Sequence, residues 1–137
     1  MEKQYKRGII ASSFDFLHAG HVLILKEAKE LCDVVIAALQ TDPTIERPYK
    51  HKPIQTLEER RTQLEGCRYI DKIVTYTTED ELGKLILEEK IDLRIKGSDH
   101  IGKVGPYDYL TKIHYHDRTK HTFSSSNLID RILKQYK

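Results

Sequence analysis

Cysteine is scarce in this chain. The two present, Cys32 and Cys67, lie far apart and fit no metal-ligand spacing. Both are expected to serve as small buried apolar side chains in a reducing compartment. An excess of one charge is also missing: charged residues make up 32% of the chain, yet the formal net charge is +2. Such balance argues against an electrostatic nucleic-acid binder, which needs a dominant basic face. No apolar run approaches membrane-spanning length, and Met1 to Arg7 contains no apolar signal segment. A soluble cytoplasmic protein with neither nucleic acid nor membrane as partner is therefore expected. Repeats, linkers and low-complexity tracts are lacking, and 137 residues are enough for one domain, 1–137, with its own core. The common phosphate loops are absent too, with no G-x-x-x-x-G-K-S/T and no G-x-G-x-x-G.

What the chain does contain is an alternation of strands and helices. Residues 7–12 read as a first strand, and Val22, Leu25, Ala28 and Leu31 fall at helical spacing in a helix from His21 to Leu31. Val34 to Leu39 is a continuous apolar run, as in a strand covered on both faces. A polar loop with three prolines spans Thr41 to Gln55. Thr56 and Glu59 then form a capping-box signature for a helix reaching about Cys67. Further strands are expected at 70–76, 93–96 and 112–116, and further helices at 79–89 and 127–135. Strands spaced by helices imply a parallel sheet wrapped on both faces, with ligands bound beyond the carboxyl ends of its strands.

The first strand leads directly into Ser12-Ser13-Phe14-Asp15-Phe16-Leu17-His18-Ala19-Gly20-His21. Two imidazoles three residues apart share one helical face. A helix N-terminus with free N–H groups attracts phosphate. Gly20 permits close backbone approach. The pattern suits a polyphosphate-binding turn. Ordinary junction histidines are the bland alternative.

This block resembles the HxGH signature of the nucleotidyltransferase superfamily. Arg68-Tyr69-Ile70-Asp71 resembles the R-Y-V-D element of the cytidylyltransferase family, and Arg118-Thr119 with Phe123-Ser124-Ser125-Ser126 resembles its R-T-x-G-I-S-T-T/S element. Thr41-Asp42, Lys50 and Lys52 stand where that family has a Thr-Asp pair and catalytic lysines. The resemblance implies a Rossmann-like three-layer α/β/α fold around a central parallel sheet. It also implies transfer of CMP from CTP to a small phosphorylated alcohol, glycerol 3-phosphate first, with Mg²⁺ carried on the phosphates and a homodimeric assembly. By the same resemblance His18, His21, Lys50, Lys52 and Arg118 are catalytic. Ser12, Ser13, Phe14, Gly20, Arg68, Gly97, Asp99, Ser124, Ser125 and Ser126 bind nucleotide, and Asp15, Asp42 and Lys50 face the acceptor.

The chain departs from the family pattern in three places. Ser12-Ser13 stands where the family usually has Gly-Thr, Gly97-Ser98-Asp99 where it often has Gly-Asp-Asp or Gly-Gly-Asp, and the Arg118 to Ser124 segment is one residue longer, with His121-Thr122 in place of glycine. The triple serine also resembles the adenylyl-transferring branches. An adenylyltransferase using ATP and a sugar-phosphate or FMN-like acceptor is thus the second reading, and a non-catalytic nucleotide-binding module the third. Several residues have structural alternatives. Asp15 and Asp42 suit turns, Arg60 and Arg68 suit surface ion pairs, and Ser124 suits a helix cap. His114, His116 and His121 lack an accompanying carboxylate or cysteine at metal spacing, and no protein-held metal is expected; contact of one of them with the acceptor or the nucleotide is the alternative. His100, Tyr107 and Tyr109 lie in a loop suited to the acceptor pocket.

Overall fold

The computed structural model describes residues 3–136. Five strands form one sheet: β1 (Tyr5–Ser12), β2 (Cys32–Gln40), β3 (Lys72–Tyr76), β4 (Leu93–Gly97) and β5 (Lys112–His116). Helices α1 (Ala19–Leu31), α2 (Leu57–Glu65), α3 (Glu79–Glu88) and α4 (Ser125–Gln135) alternate with them, giving the Rossmann-like α/β/α arrangement. The spatial order is β3-β2-β1-β4-β5 and every pairing is parallel. The chain steps outward from β1 to β2 and β3, then returns to the other side of β1 with β4. The switch point therefore lies between β1 and β4, where such sheets open a crevice.

The apolar run of β2 is buried on both faces, as its continuity implied. Val35, Ala37 and Leu39 join Leu25 and Ala28 of α1 and Leu64 of α2 on one side. Ile36 and Ala38 join Leu82 and Ile86 of α3 on the other. Each such buried Leu or Ile contributes about 1.5–3 kcal/mol. Cys32 is fully buried, and burial pushes its thiol up to about 11, so it behaves as an apolar residue. Cys67, expected to be buried as well, is only half-buried because it lies past the end of α2.

The helix after β1 begins at Ala19, two residues before the position that hydrophobic spacing indicated. The reason is local. His18 itself is the N-cap, in extended conformation, and the apolar rhythm starts only one turn later. Among the described residues no helix is long and apolar enough to cross a membrane.

Candidate active site

The turn between β1 and α1 is strained and held from outside. Phe14 and Phe16 have φ of 49° and 56°, a left-handed conformation costing non-glycine residues about 1–2 kcal/mol each. Phe14 is buried, which fixes its position. Arg60 of α2 secures the rest of the turn. Its guanidinium donates to the carbonyls of Ser13 (2.9 Å), Gln40 (2.7 Å), Thr41 (2.8 Å) and Gln55 (3.2 Å). One side chain thus ties together the ends of β1, β2 and the 41–55 loop. Arg60 is 2% exposed, which corrects its reading as a surface ion-pair residue. Its spacing from Leu64, one turn on, is the signal that it faces inward.

Asp15 uses both carboxylate oxygens on the same loop, accepting from the N–H groups of Ile54 (2.9 Å) and Gln55 (3.0 Å). Asp42 accepts from the backbone and hydroxyl of Thr44, which holds its carboxyl below the usual range and builds a turn.

The two histidines form a reciprocal cap. His18 Nδ1 accepts from the Gly20 N–H at 2.9 Å, and His21 Nδ1 accepts from the His18 N–H at 3.2 Å. Each Nδ1 is therefore bare, and each neutral ring carries its proton on Nε2. His18 Nε2 lies 3.1 Å from Ser125 Oγ, to which it donates. Burial, with the positive charge of Arg118 and the neighbouring imidazole, depresses His21 to about 4. Burial and Arg118 lower His18 in the same direction. Both rings are donors without full charge, and their centroids are 4.0 Å apart. The structural and functional readings of these histidines are therefore compatible: the cap uses Nδ1 and leaves the proton on Nε2, which in His18 rests on the Ser125 hydroxyl of the cleft wall.

A cleft of about 920 Å³ opens over this turn at the switch point. Ser12, Phe14, His18, Gly20, His21, Lys50, Gly97, Asp99, Arg118, Ser124, Ser125 and Ser126 line it. Gly20 and Gly97 are needed for its shape. A Cβ at Gly20 would lie 2.7 Å from the Phe123 carbonyl oxygen, and one at Gly97 would lie 2.9 Å from Arg118 Cδ. Ser124 caps α4, accepting from the Asn127 N–H at 3.0 Å, so a second helix N-terminus faces the first. Arg118 pairs with Asp99 at 3.0 Å. Burial raises the Asp99 carboxyl, but the Arg118 hydrogen bond and the charges of His100 and Arg118 more than reverse this, leaving it below the usual range.

Seven expected residues lie off the cleft wall: Ser13, Asp15, Asp42, Lys52, Arg68, and Tyr107 and Tyr109, which pack beside α3 instead. Arg68 is exposed beyond α2 and stacks on Tyr69, its guanidinium carbon 5.1 Å from the ring centroid. Other wall residues escaped the sequence reading. Arg94 and Lys96 project from one face of β4 and share the Asp108 carboxylate at 3.3 Å and 2.9 Å. Glu46, Arg47, Lys103, His116 and His121 also line the cleft, as does the expected His100. The alternation of Arg94 and Lys96 with buried Leu93 and Ile95 was the available signal. The late histidines do have a carboxylate: Glu27 of α1 lies between His114 and His116. That carboxylate is 87 and 89 residues away in the chain, so no sequence spacing could have shown it.

The comparisons with known proteins agree with this geometry. The cytidylyltransferase-like family profile matches residues 9–131. The chain is 34% identical over 132 residues to the bifunctional protein HldE of Helicobacter hepaticus, covering 95% of this chain but only 27% of that protein. It is 32% identical over 105 residues to the glycerol-3-phosphate cytidylyltransferase of Bacillus subtilis, covering 77% and 78% respectively. It is also 32% identical over 133 residues to the FAD synthase of Archaeoglobus fulgidus, covering 90% and 95%. Among solved structures, the lipopolysaccharide core biosynthesis protein of Thermoplasma volcanium superposes with a TM-score of 0.66 at 26% identity, covering 82% of this chain and 98% of that one.

Proposed function

The chain belongs to the cytidylyltransferase-like family, and on that premise we propose that it moves CMP from CTP onto a small phosphorylated alcohol, glycerol 3-phosphate first, with release of pyrophosphate. One observation carries the reading. Two neutral imidazoles, each with Nδ1 spent on a backbone N–H and its proton on Nε2, that of His18 resting on the Ser125 hydroxyl, stand at a helix N-terminus in a polar cleft.

A phosphate oxygen of the acceptor attacks the α-phosphorus, the bond to the β-bridging oxygen breaks, and pyrophosphate leaves with the electron pair. The nucleophile is already anionic near neutral pH, so alignment and charge stabilisation do the chemistry rather than a strong base. His18 and His21 donate to oxygens of the α-phosphate as it becomes five-coordinate. Arg118, Ser124, Ser125, Ser126 and the N–H groups opening α4 hold the outer phosphates. Gly97 and Asp99, with Ser12, Ser13 and Phe14, border the nucleoside. Lys50 reaches over the triphosphate from the 41–55 loop, and closure of that loop carries Lys52 and Asp42 toward the acceptor, while Asp15 holds the loop's end from the β1–α1 turn. Arg68 acts from an exposed edge suited to a second copy of the chain, which makes a homodimer the proposed assembly.

Around His18 and His21 the cleft offers imidazole, guanidinium and hydroxyl groups, a donor set that fits phosphate oxygens. Mg²⁺ fits on the triphosphate itself, keeping most of its water ligands. On the phosphates that His18, His21 and Arg118 hold, it would supply neutralisation of charge on the leaving pyrophosphate.

The likeness to the FAD synthase and the triple serine support a second reading, adenylyl transfer from ATP. Pyrophosphate release with CTP and ATP, measured across glycerol 3-phosphate, sugar phosphates and FMN, separates the two. Turnover with CTP and a phosphorylated alcohol is the expected result. Turnover with ATP alone replaces it with the second reading. Nucleotide binding without release on any acceptor overturns both in favour of a non-catalytic module.

A further inference from the structure

The segment from β5 to α4 carries Arg118 and ends on the cleft serines, yet no residue of α4 is buried. Apolar packing therefore does little to fasten this wall to the sheet. A line of polar contacts reaches it instead. Glu27 Oε2 lies 3.0 Å from His116 Nδ1 and 3.2 Å from His114 Nε2. His116 Nε2 lies 3.1 Å from His121 Nε2, and His121 Nδ1 accepts from the Phe123 N–H at 3.2 Å. The His121 ring also stacks on Phe123, centroids 5.2 Å apart.

These contacts select one arrangement of protons. The Phe123 N–H is a donor, so His121 Nδ1 is bare and its proton sits on Nε2. That proton is donated to His116 Nε2, which leaves His116 Nδ1–H pointing at the Glu27 carboxylate. Every donor then meets an acceptor. A second proton on His116 would set two N–H groups against each other. A second proton on His121 would deprive the Phe123 N–H of its acceptor. His116 is 8% exposed, so water does little to relieve either conflict.

We propose that Glu27, His116 and His121 are positioning residues that hold the Arg118 to Ser126 wall against α1, where it grips the nucleotide's phosphates. This rests on the nucleotide-binding reading above. The other titratable and charged groups facing the line are His114 from β5, Asp117, Arg118 and Lys120 from the following turn, and His18 at the start of α1.

Calorimetric titration with CTP and with ATP tests it on the full chain, beside steady-state kinetics. His121→Asn keeps an acceptor for the Phe123 N–H but cannot reach His116. His121→Phe keeps the stacking and removes both nitrogens. Glu27→Gln replaces the carboxylate by an amide. Each is expected to raise the nucleotide Kd and KM about tenfold, the loss of roughly one buried hydrogen bond, with kcat within about twofold.

Wild-type affinity in His121→Phe would show that stacking suffices and overturn the proposal, as would unchanged affinity in His121→Asn. Should Glu27→Gln fail to fold by circular dichroism, the two His121 variants decide. A wild-type protein that binds neither nucleotide overturns the functional reading instead, so the two failures are distinguishable.

Discussion

The two walls of the cleft are built in opposite ways. The β1–α1 wall is anchored in the core: α1 buries Leu25 and Ala28, Phe14 is buried in the turn, and Arg60 clamps the backbone from below. The β5–α4 wall has a terminal helix with no buried residue, and Ile129, Ile132, Leu133 and Tyr136 on it are exposed. It is fastened chiefly by side-chain hydrogen bonds, among them His18 to Ser125, Ser98 to Arg118, and the Glu27–His116–His121 line. One wall is preorganised by burial. The other is assembled from polar contacts, whose net contribution is about 1 kcal/mol each. On the proposed function this is a division of labour, in which rigidity surrounds the groups proposed to meet developing charge and adaptability surrounds those proposed to hold the outer phosphates.

Substitutions can break that comparison or sharpen it. The largest effect is expected on the rigid wall: His21→Ala removes one preorganised donor and should lower kcat by about 10²-fold or more, read by pyrophosphate release. Arg60→Met should come next, costing about 3 kcal/mol in chemical denaturation, because four carbonyls lose a charged donor. Lysine should not rescue it, since an ammonium lacks the planar fork.

A third expectation concerns pH. His21 has a folded value of about 4, below the ordinary 6.5, so the unfolded chain binds more protons between those values. The stability it contributes is present above about 6.5 and is lost as pH falls toward about 4. Thermal melts across that window should show a slope that His21→Gln reduces. The smallest effect belongs to the adaptable wall. Ile132→Ala should change stability by no more than about 0.5 kcal/mol, while Leu25→Ala on α1 costs about 2–5 kcal/mol. Equal losses at the two positions would abolish the distinction between the walls.

Much of the fold was legible because its signals are local. The β2 run, the Thr56–Glu59 capping box and the Lys112–His116 strand all lie where short-range pattern put them. The histidine turn was legible for the same reason. The boundary of α1 was misjudged by two residues because an imidazole N-cap is not a familiar start signal. Arg60 was misread because a charged residue on a short polar helix resembles a surface residue until the strand ends it serves are folded around it. Glu27 and His116 are 89 residues apart in the chain, and no spacing rule could join them.

By itself the sequence determined the alternation of strands and helices, the doubly covered central strand and the turn that bears His18 and His21, since hydrophobic period and capping chemistry act over a few neighbouring residues. Only the tertiary structure decided that Arg60 is a buried clamp, which proton each late histidine carries, and which expected residues line the cleft. Those outcomes depend on contacts between distant segments, which exist only once the parallel sheet has closed β1 between β2 and β4.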